Sequence, residues 1–271
     1  MLDESLIGQL AAELQQSQTT RVAMEQFSKR YPHMTIEDGY RVSRAWVAQQ
    51  VENGAKVIGH KIGLTSRAMQ ISSQIDEPDY GTLLDYMRFD CASGSVLDIP
   101  VARFIAPRVE VELAFVLKAP LQGPNVTVEQ VLEATEYVTP AIEIIDSRIE
   151  QFDRHTKTMR KVFDTISDNA ANAGIVLGGL RAGPRSLDRA WCGAILRLNG
   201  SVEETGLAAG VQGDPAIGVA WLANKLAPWG ETLQSGHIVL SGSFTRPVAA
   251  RAGDLFEADY GPLGKMAFRF V

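Results

Sequence analysis

Two glutamates two positions apart carry the most chemistry in this sequence. In Arg108-Val-Glu-Val-Glu-Leu-Ala-Phe-Val-Leu117 apolar and charged residues alternate, which is the period of a β-strand, and successive strand residues face opposite sides. Glu110 and Glu112 therefore share a face, roughly 7 Å apart along the backbone, while Val109, Val111 and Leu113 take the other. Like charges side by side are costly unless a cation lies between them. A third acid, Glu143, sits between Ile142 and Ile144 in the apolar run Thr139-Pro-Ala-Ile-Glu-Ile-Ile-Asp146, where an unpaired charge is not tolerated. Three carboxylates with no His or Cys beside them suit a hard, oxygen-seeking ion, Mg²⁺ or Mn²⁺, with water in the remaining positions. A solvated strand edge with glutamates facing water is the other reading of the same pattern.

The elements that must position these acids are legible in outline. Leu6, Leu10 and Leu14, with Ile7, form one helical stripe. A second helix is predicted from a Thr35 cap, with Ile36, Tyr40, Val47 and Val51 inward and a stop at Asn53-Gly54. From Val57 onward short β runs dominate: 57–63, 109–117, 141–146, 174–177, 194–198, 237–240, 255–260 and 265–271, with Asn199-Gly200 as a hairpin turn. Only two helices are expected among them, one from the Thr127 capping box and one from Asp214-Pro215 to about Pro228. Strands outnumber helices and do not alternate with them, which disfavours Rossmann and TIM architectures. The expected fold is α+β, with residues 1–56 as an N-terminal helical segment and 57–271 as a β-rich catalytic domain.

Composition narrows the partners. The 271 residues carry a net charge of −6, and no basic stripe interleaved with aromatics suits a nucleic acid. No run approaches the ~18 apolar residues of a membrane span, and acids at Asp3 and Glu4 stand where a signal peptide would be basic. Cys91 and Cys192 have no CxxC partner, so they read as reduced residues of a cytoplasmic protein.

Six segments in register resemble the fumarylacetoacetate hydrolase superfamily: Gly59-His-Lys-Ile-Gly-Leu-Thr65, Glu77-Pro-Asp-Tyr-Gly81, Arg108-Val-Glu-Val-Glu-Leu-Ala-Phe115, Ala141-Ile-Glu-Ile-Ile-Asp146, Asp164-Thr-Ile-Ser-Asp-Asn169 and Gly242-Ser-Phe-Thr-Arg-Pro247. Within it the chain is similar to the hydratase and decarboxylase branch of aromatic meta-cleavage catabolism, nearest to members of homoprotocatechuate degradation. The resemblance implies a mixed β-roll or barrel, Mg²⁺ held by Glu110, Glu112 and Glu143, and acid–base roles for Lys61 and Asp79. Asp79, after Pro78, is expected in a turn that projects it into a cleft. Ser167 matches an active-site serine, expected to hold substrate or water; no nucleophile elbow is present. Ser243 and Thr245 are expected to bind a substrate carboxylate, and Gln74 to order the pocket entrance.

The activity implied is Mg²⁺-dependent hydration of a C7 unsaturated 2-oxo dicarboxylate by a homo-oligomer, often pentamer-based in this superfamily. Arg160, Lys161 and Arg246 are candidates for the distal carboxylate, since arginine offers it a bidentate fork. His60 lies on the far side of its strand from Lys61 and reads as a packed structural residue. A 4-oxalocrotonate-type decarboxylase and a 2-hydroxypenta-2,4-dienoate hydratase would use the same residues. A non-catalytic partner subunit is the reading from another class, and the presence of all three acids with Lys61 argues against it.

Overall fold

The computed structural model describes residues 1–271. Three helices come first: α1 (Glu4–Thr20), α2 (Phe27–Arg30) and α3 (Ile36–Glu52). Asp3 caps α1 by accepting from the Leu6 N–H, and Thr35 with Asp38 forms a reciprocal capping box on α3. The inward face of α3 is rotated from the expected one. Tyr40, Val42, Ser43, Trp46 and Gln50 are buried, whereas Val51 is 45% exposed. The bulk of Trp46, fully buried, fixes the helix rotation and turns Val51 outward. Ile7, Leu10 and Leu14 of α1 join Trp46, Leu84, Met87, Ile149 and Phe163 in one cluster, so the helical segment is seated on the later chain.

The rest of the chain supplies, in order, β1 (Val57–Gly63), α4 (Arg67–Ser73), β2 (Asp79–Leu84), β3 (Arg88–Asp90), β4 (Val96–Ile99), β5 (Arg108–Leu117), α5 (Val128–Ala134), β6 (Thr135–Ile145), α6 (Val162–Ser167), β7 (Asn172–Leu177), β8 (Gly193–Leu198), β9 (Ser201–Leu207), α7 (Pro215–Leu226), β10 (Ile238–Leu240), β11 (Val248–Ala249), β12 (Leu255–Asp259) and β13 (Lys265–Phe270). The strands build two mixed sheets, one ordered β2-β1-β10-β5-β6-β7-β3 with β11 added to β5, the other β4-β13-β12-β8-β9. The expected α+β roll is present, but the sheets stay open and do not close into a barrel. Asn199 and Gly200 both take positive φ and join β8 to β9, as a two-residue hairpin turn requires.

Alternation along β5 divides the larger sheet into two faces. Val109, Val111, Leu113 and Phe115 pack with Leu196, Phe256, Phe268 and Phe270 of the smaller sheet in the main cluster of 39 buried residues. The opposite face carries Glu110 and Glu112, then Ala114 and Val116, which pack with Ala141, Ile175, Leu177 and Leu240. Charge and apolar surface thus share one sheet face, with the acids at one end of β5. Cys91 and Cys192 are unpaired, and no helix is long and apolar enough to cross a membrane.

Candidate active site

Strand pairing brings the three acids together. Glu110 lies directly opposite Glu143 in the antiparallel β5–β6 ladder, and Glu112 follows two residues along on the same face. One carboxylate oxygen from each lies within 4.8 Å of the others, with Glu112 and Glu143 buried and Glu110 partly so. Lys61 arrives from β1, two strands from β5 and three from β6, where it pairs with Leu240, the last residue of β10. Past that short strand the Lys61 side chain reaches across, placing Nζ 3.4 Å from Glu143 Oε1. Asp79 opposes Gly63 in the β1–β2 ladder, on the Lys61 face. A Cβ at Gly63 would lie 2.3 Å from Asp79 Oδ1 and 3.0 Å from Lys61 Nζ, so the bare glycine makes room for both.

Four carboxylates and one ammonium leave this face short of positive charge. Burial, then the charge of Glu143, pushes the Glu110 carboxyl up to about 8 against the pull of Lys61, while the Ser243 hydroxyl favours its charged form. Burial with both neighbouring glutamates holds Glu112 well above the ordinary range. Burial also raises Asp79, opposed by Lys61. For Lys61 burial works against the charge, but Glu143, Asp79, Glu110 and Glu112 outweigh it and hold the ammonium above the usual lysine range. Glu112 Oε2 accepts the Gly242 N–H at 2.8 Å, yet its buried Oε1 has no hydrogen-bond partner. A divalent cation among the three acids supplies that partner and the missing charge, so the donor set fits Mg²⁺ or Mn²⁺.

Residues 56–271 match the family described as Fumarylacetoacetate (FAA) hydrolase C-terminal. The chain belongs to the fumarylacetoacetate hydrolase family. It is 55% identical over its whole length, and that of the relative, to 2-oxo-hept-4-ene-1,7-dioate hydratase of Escherichia coli. It is 37% identical, again over both full lengths, to 2-hydroxyhexa-2,4-dienoate hydratase of Comamonas testosteroni. Among solved structures, 4-oxalocrotonate decarboxylase from Pseudomonas putida G7, complexed with magnesium and adipate, superposes with a TM-score of 0.92 at 31% identity, covering 100% of this chain and 99% of that one.

The other residues singled out from the fumarylacetoacetate hydrolase resemblance are placed unevenly. Asp79 is the first residue of β2, not part of a turn, because Gly63 pairs with it directly. Ser243 accepts the Thr245 N–H at 3.2 Å and donates to the Thr245 carbonyl at 2.8 Å. Thr245 Oγ1 accepts from the Val111 N–H, so both hydroxyls shape the loop beside Glu110. Ser167 is fully buried in α6 and donates its hydroxyl proton to Phe163 O at 2.7 Å. Gln74 ends α4 in the left-handed conformation at the surface. Arg246 is paired with Glu204, and its side chain is 85% exposed. Arg160 is nearly buried, with Nη1 on Asp168 Oδ2 and Ile149 O, and its charge is felt at Asp79. Lys161 is exposed at the start of α6. His60 faces away from Lys61, towards Tyr80 and His237, and burial pushes its imidazole down to about 3. The Asn172 amide and the Gly242 N–H are bonded to Glu143 and Glu112, contacts that no motif marks.

Two outcomes follow from this geometry. Because Glu110 and Glu112 titrate above their ordinary value of 4.5, the folded metal-free protein binds protons that the unfolded chain has released. It therefore loses stability as pH rises from about 4.5 to about 8. A bound cation replaces those protons, so the gap in melting temperature between Mg²⁺ and EDTA widens from pH 5 to pH 8; a gap independent of pH contradicts the assignment. Gly63→Ala leaves the fold intact but displaces Lys61 and Asp79, lowering kcat/KM by roughly 10²-fold. Steady-state assay beside a thermal melt checks both halves of that expectation.

Proposed function

We propose that this chain is a Mg²⁺-dependent hydratase, a hydro-lyase, acting on 2-oxohept-4-ene-1,7-dioate in aromatic meta-cleavage catabolism. The observation that carries the reading is the trio Glu110, Glu112 and Glu143 beside Lys61 and Asp79 on one sheet face, supported by full-length likeness to the E. coli hydratase. The C4–C5 double bond of this substrate is not conjugated with its ketone. One proton leaves C3 and one is delivered at C5, giving the 2-oxo-3-ene tautomer; water then adds its hydroxyl at C4 and a proton at C3. The product is 4-hydroxy-2-oxoheptane-1,7-dioate. Mg²⁺, when bound, supplies Lewis-acid pull on the C1 carboxylate and C2 oxygen, where enolate charge gathers. Lys61 and Asp79 carry the protons. Once the glutamate charges that hold its proton are neutralised, Lys61 can release it. Ser243, Thr245 and Gln74 stand as further substrate contacts, and Ser167 as a support of the pocket wall.

Arg160 is our choice for the distal carboxylate. Its Nε and Nη2 have no protein acceptor, and its charge acts on Asp79, whereas the Arg246 fork is committed to Glu204. A decarboxylase is the second reading, favoured by the close superposition on the P. putida enzyme. There the same electron sink accepts the pair left by a departing carboxylate. We also place the chain in the cytoplasm, in keeping with two unpaired cysteines, and as a homo-oligomer, since Trp191, Val202 and Leu207 stand exposed on or next to the free edge strand β9.

Incubation with the C7 diacid should consume substrate without releasing CO₂, stop with EDTA and resume with Mg²⁺ or Mn²⁺. CO₂ release would transfer the chain to the decarboxylases. Arg160→Gln should raise KM for the diacid roughly 10–100-fold, the scale of a charged hydrogen bond, while sparing turnover of the monoacid 2-hydroxypenta-2,4-dienoate. Arg246→Ala should change neither. Equal losses on both substrates in Arg160→Gln would remove Arg160 from the distal site.

A further inference from the structure

Asn172 is fully buried at the start of β7, and its Nδ2 donates to Glu143 Oε1 at 2.8 Å. Lys61 Nζ approaches the same oxygen, so both donors leave Glu143 Oε2 free. The other end of the amide, Oδ1, is buried with no hydrogen-bond partner.

The backbone is bent to deliver this side chain. In the β6–β7 ladder Glu143 pairs with Ile175 and Ile144 with Gly174, but Ile145 pairs with Asn172, so Ala173 is the extra residue of a bulge. Without that bulge Asn172 would face the opposite side of the sheet; the shift by one residue turns it onto the Glu143 face. Immediately upstream, Asn169, Ala170 and Ala171 all take positive φ (51°, 50° and 62°), a conformation that is strained for the two alanines. The turn is clamped on β2, the strand of Asp79. Asn169 Oδ1 accepts the Thr82 N–H at 2.7 Å and its Nδ2 donates to Thr82 O at 2.9 Å. Gly81 has no Cβ because one would lie 2.3 Å from Asn169 O. Arg148 Nη2 donates to Asn172 O at 2.9 Å and fixes the exit of the turn. Strain held in place by this many contacts next to a reactive cluster marks a position where geometry matters more than local stability.

We propose that Asn172 is a positioning residue for the cation: it pins Glu143 Oε1 so that the other oxygen faces the ion, and its free Oδ1 accepts a hydrogen bond from a water on that ion. The inference rests on the metal reading above, and direct Mn²⁺ binding tells the two apart. Calorimetric or paramagnetic-resonance titration of the purified full-length protein with Mn²⁺ gives the Kd. Asn172→Ala, and Asn172→Leu, which keeps the branched outline without the amide, should raise it 10–100-fold, the usual cost of losing a partner of a metal ligand. In a Glu143→Gln background the Asn172→Ala change should add little, since its route to the ion is already cut. Melting in EDTA should shift far less than the Mg²⁺-induced rise in melting temperature. If the wild type binds no Mn²⁺, the metal reading falls and this proposal with it. If the wild type binds and the Asn172 variants bind within about twofold as tightly, or lose apo stability with the Mg²⁺ increment unchanged, the positioning role alone is overturned.

Discussion

The structure turns on a charge imbalance that the polypeptide does not correct by itself. Glu110, Glu112, Glu143 and Asp79 are gathered about one ammonium, that of Lys61. Two of these acids oppose each other directly across a ladder, where like charges weaken pairing. No arginine enters among the three glutamates to relieve them; Arg148 is committed to Asp168, and Arg160 lends the same carboxylate one nitrogen. The residual demand is therefore for a compact charge that takes oxygen ligands, which is the property a divalent cation brings. The orphaned oxygen of Glu112 is the same demand seen at one atom.

Carrying such a cluster requires a scaffold that gains its stability elsewhere. The far face of β5 supplies it, since Val109, Val111, Leu113 and Phe115 belong to the cluster shared by both sheets. The near face closes over Ala114, Val116 and their neighbours further along the strand. β10 is short, and Lys61 is paired with its last residue, Leu240. Beyond it the chain turns at Gly242, whose N–H reaches Glu112. Where β10 stops, the site begins.

What the sequence disclosed follows from the range of each signal. Alternation in 108–117 and the apolar setting of Glu143 are local, and they place the acids on the correct strands and face. Thr35, Asp214 and Asn199-Gly200 act within a few residues, and the elements they mark appear as expected. Pairing at long range was not legible. β3 and β4 are short and partly polar, held by parallel partners β7 and β13 far along the chain. Asp79 looked like a turn residue because Pro78 precedes it, yet cross-strand pairing with Gly63 makes it strand. Arg246 carried the right chemistry for a carboxylate, but Glu204 on the neighbouring sheet takes it. Asn172 carries no local signal, because a bulge invisible in the pattern decides which way it faces.

The same geometry explains why hydration and decarboxylation are hard to separate by inspection. Both reactions require electrons to be drawn towards the C2 oxygen, and the three glutamates of β5 and β6 would serve that step in either one. The outcome is then set by what stands at the far end of the substrate: a proton donor and water in one case, an unstabilised carboxylate in the other. Lys61 Nζ stands 3.4 Å from Glu143 and the charge of Arg160 is felt at Asp79, so in the proposed reaction proton transfer and distal recognition would share one side of the cluster. A distal carboxylate held by Arg160, as proposed, would be kept as a carboxylate by a charge-assisted bond and would line the carbon chain up past Lys61. That arrangement favours moving protons along the carbon skeleton over breaking it, which is the physical ground for reading this chain as a hydratase.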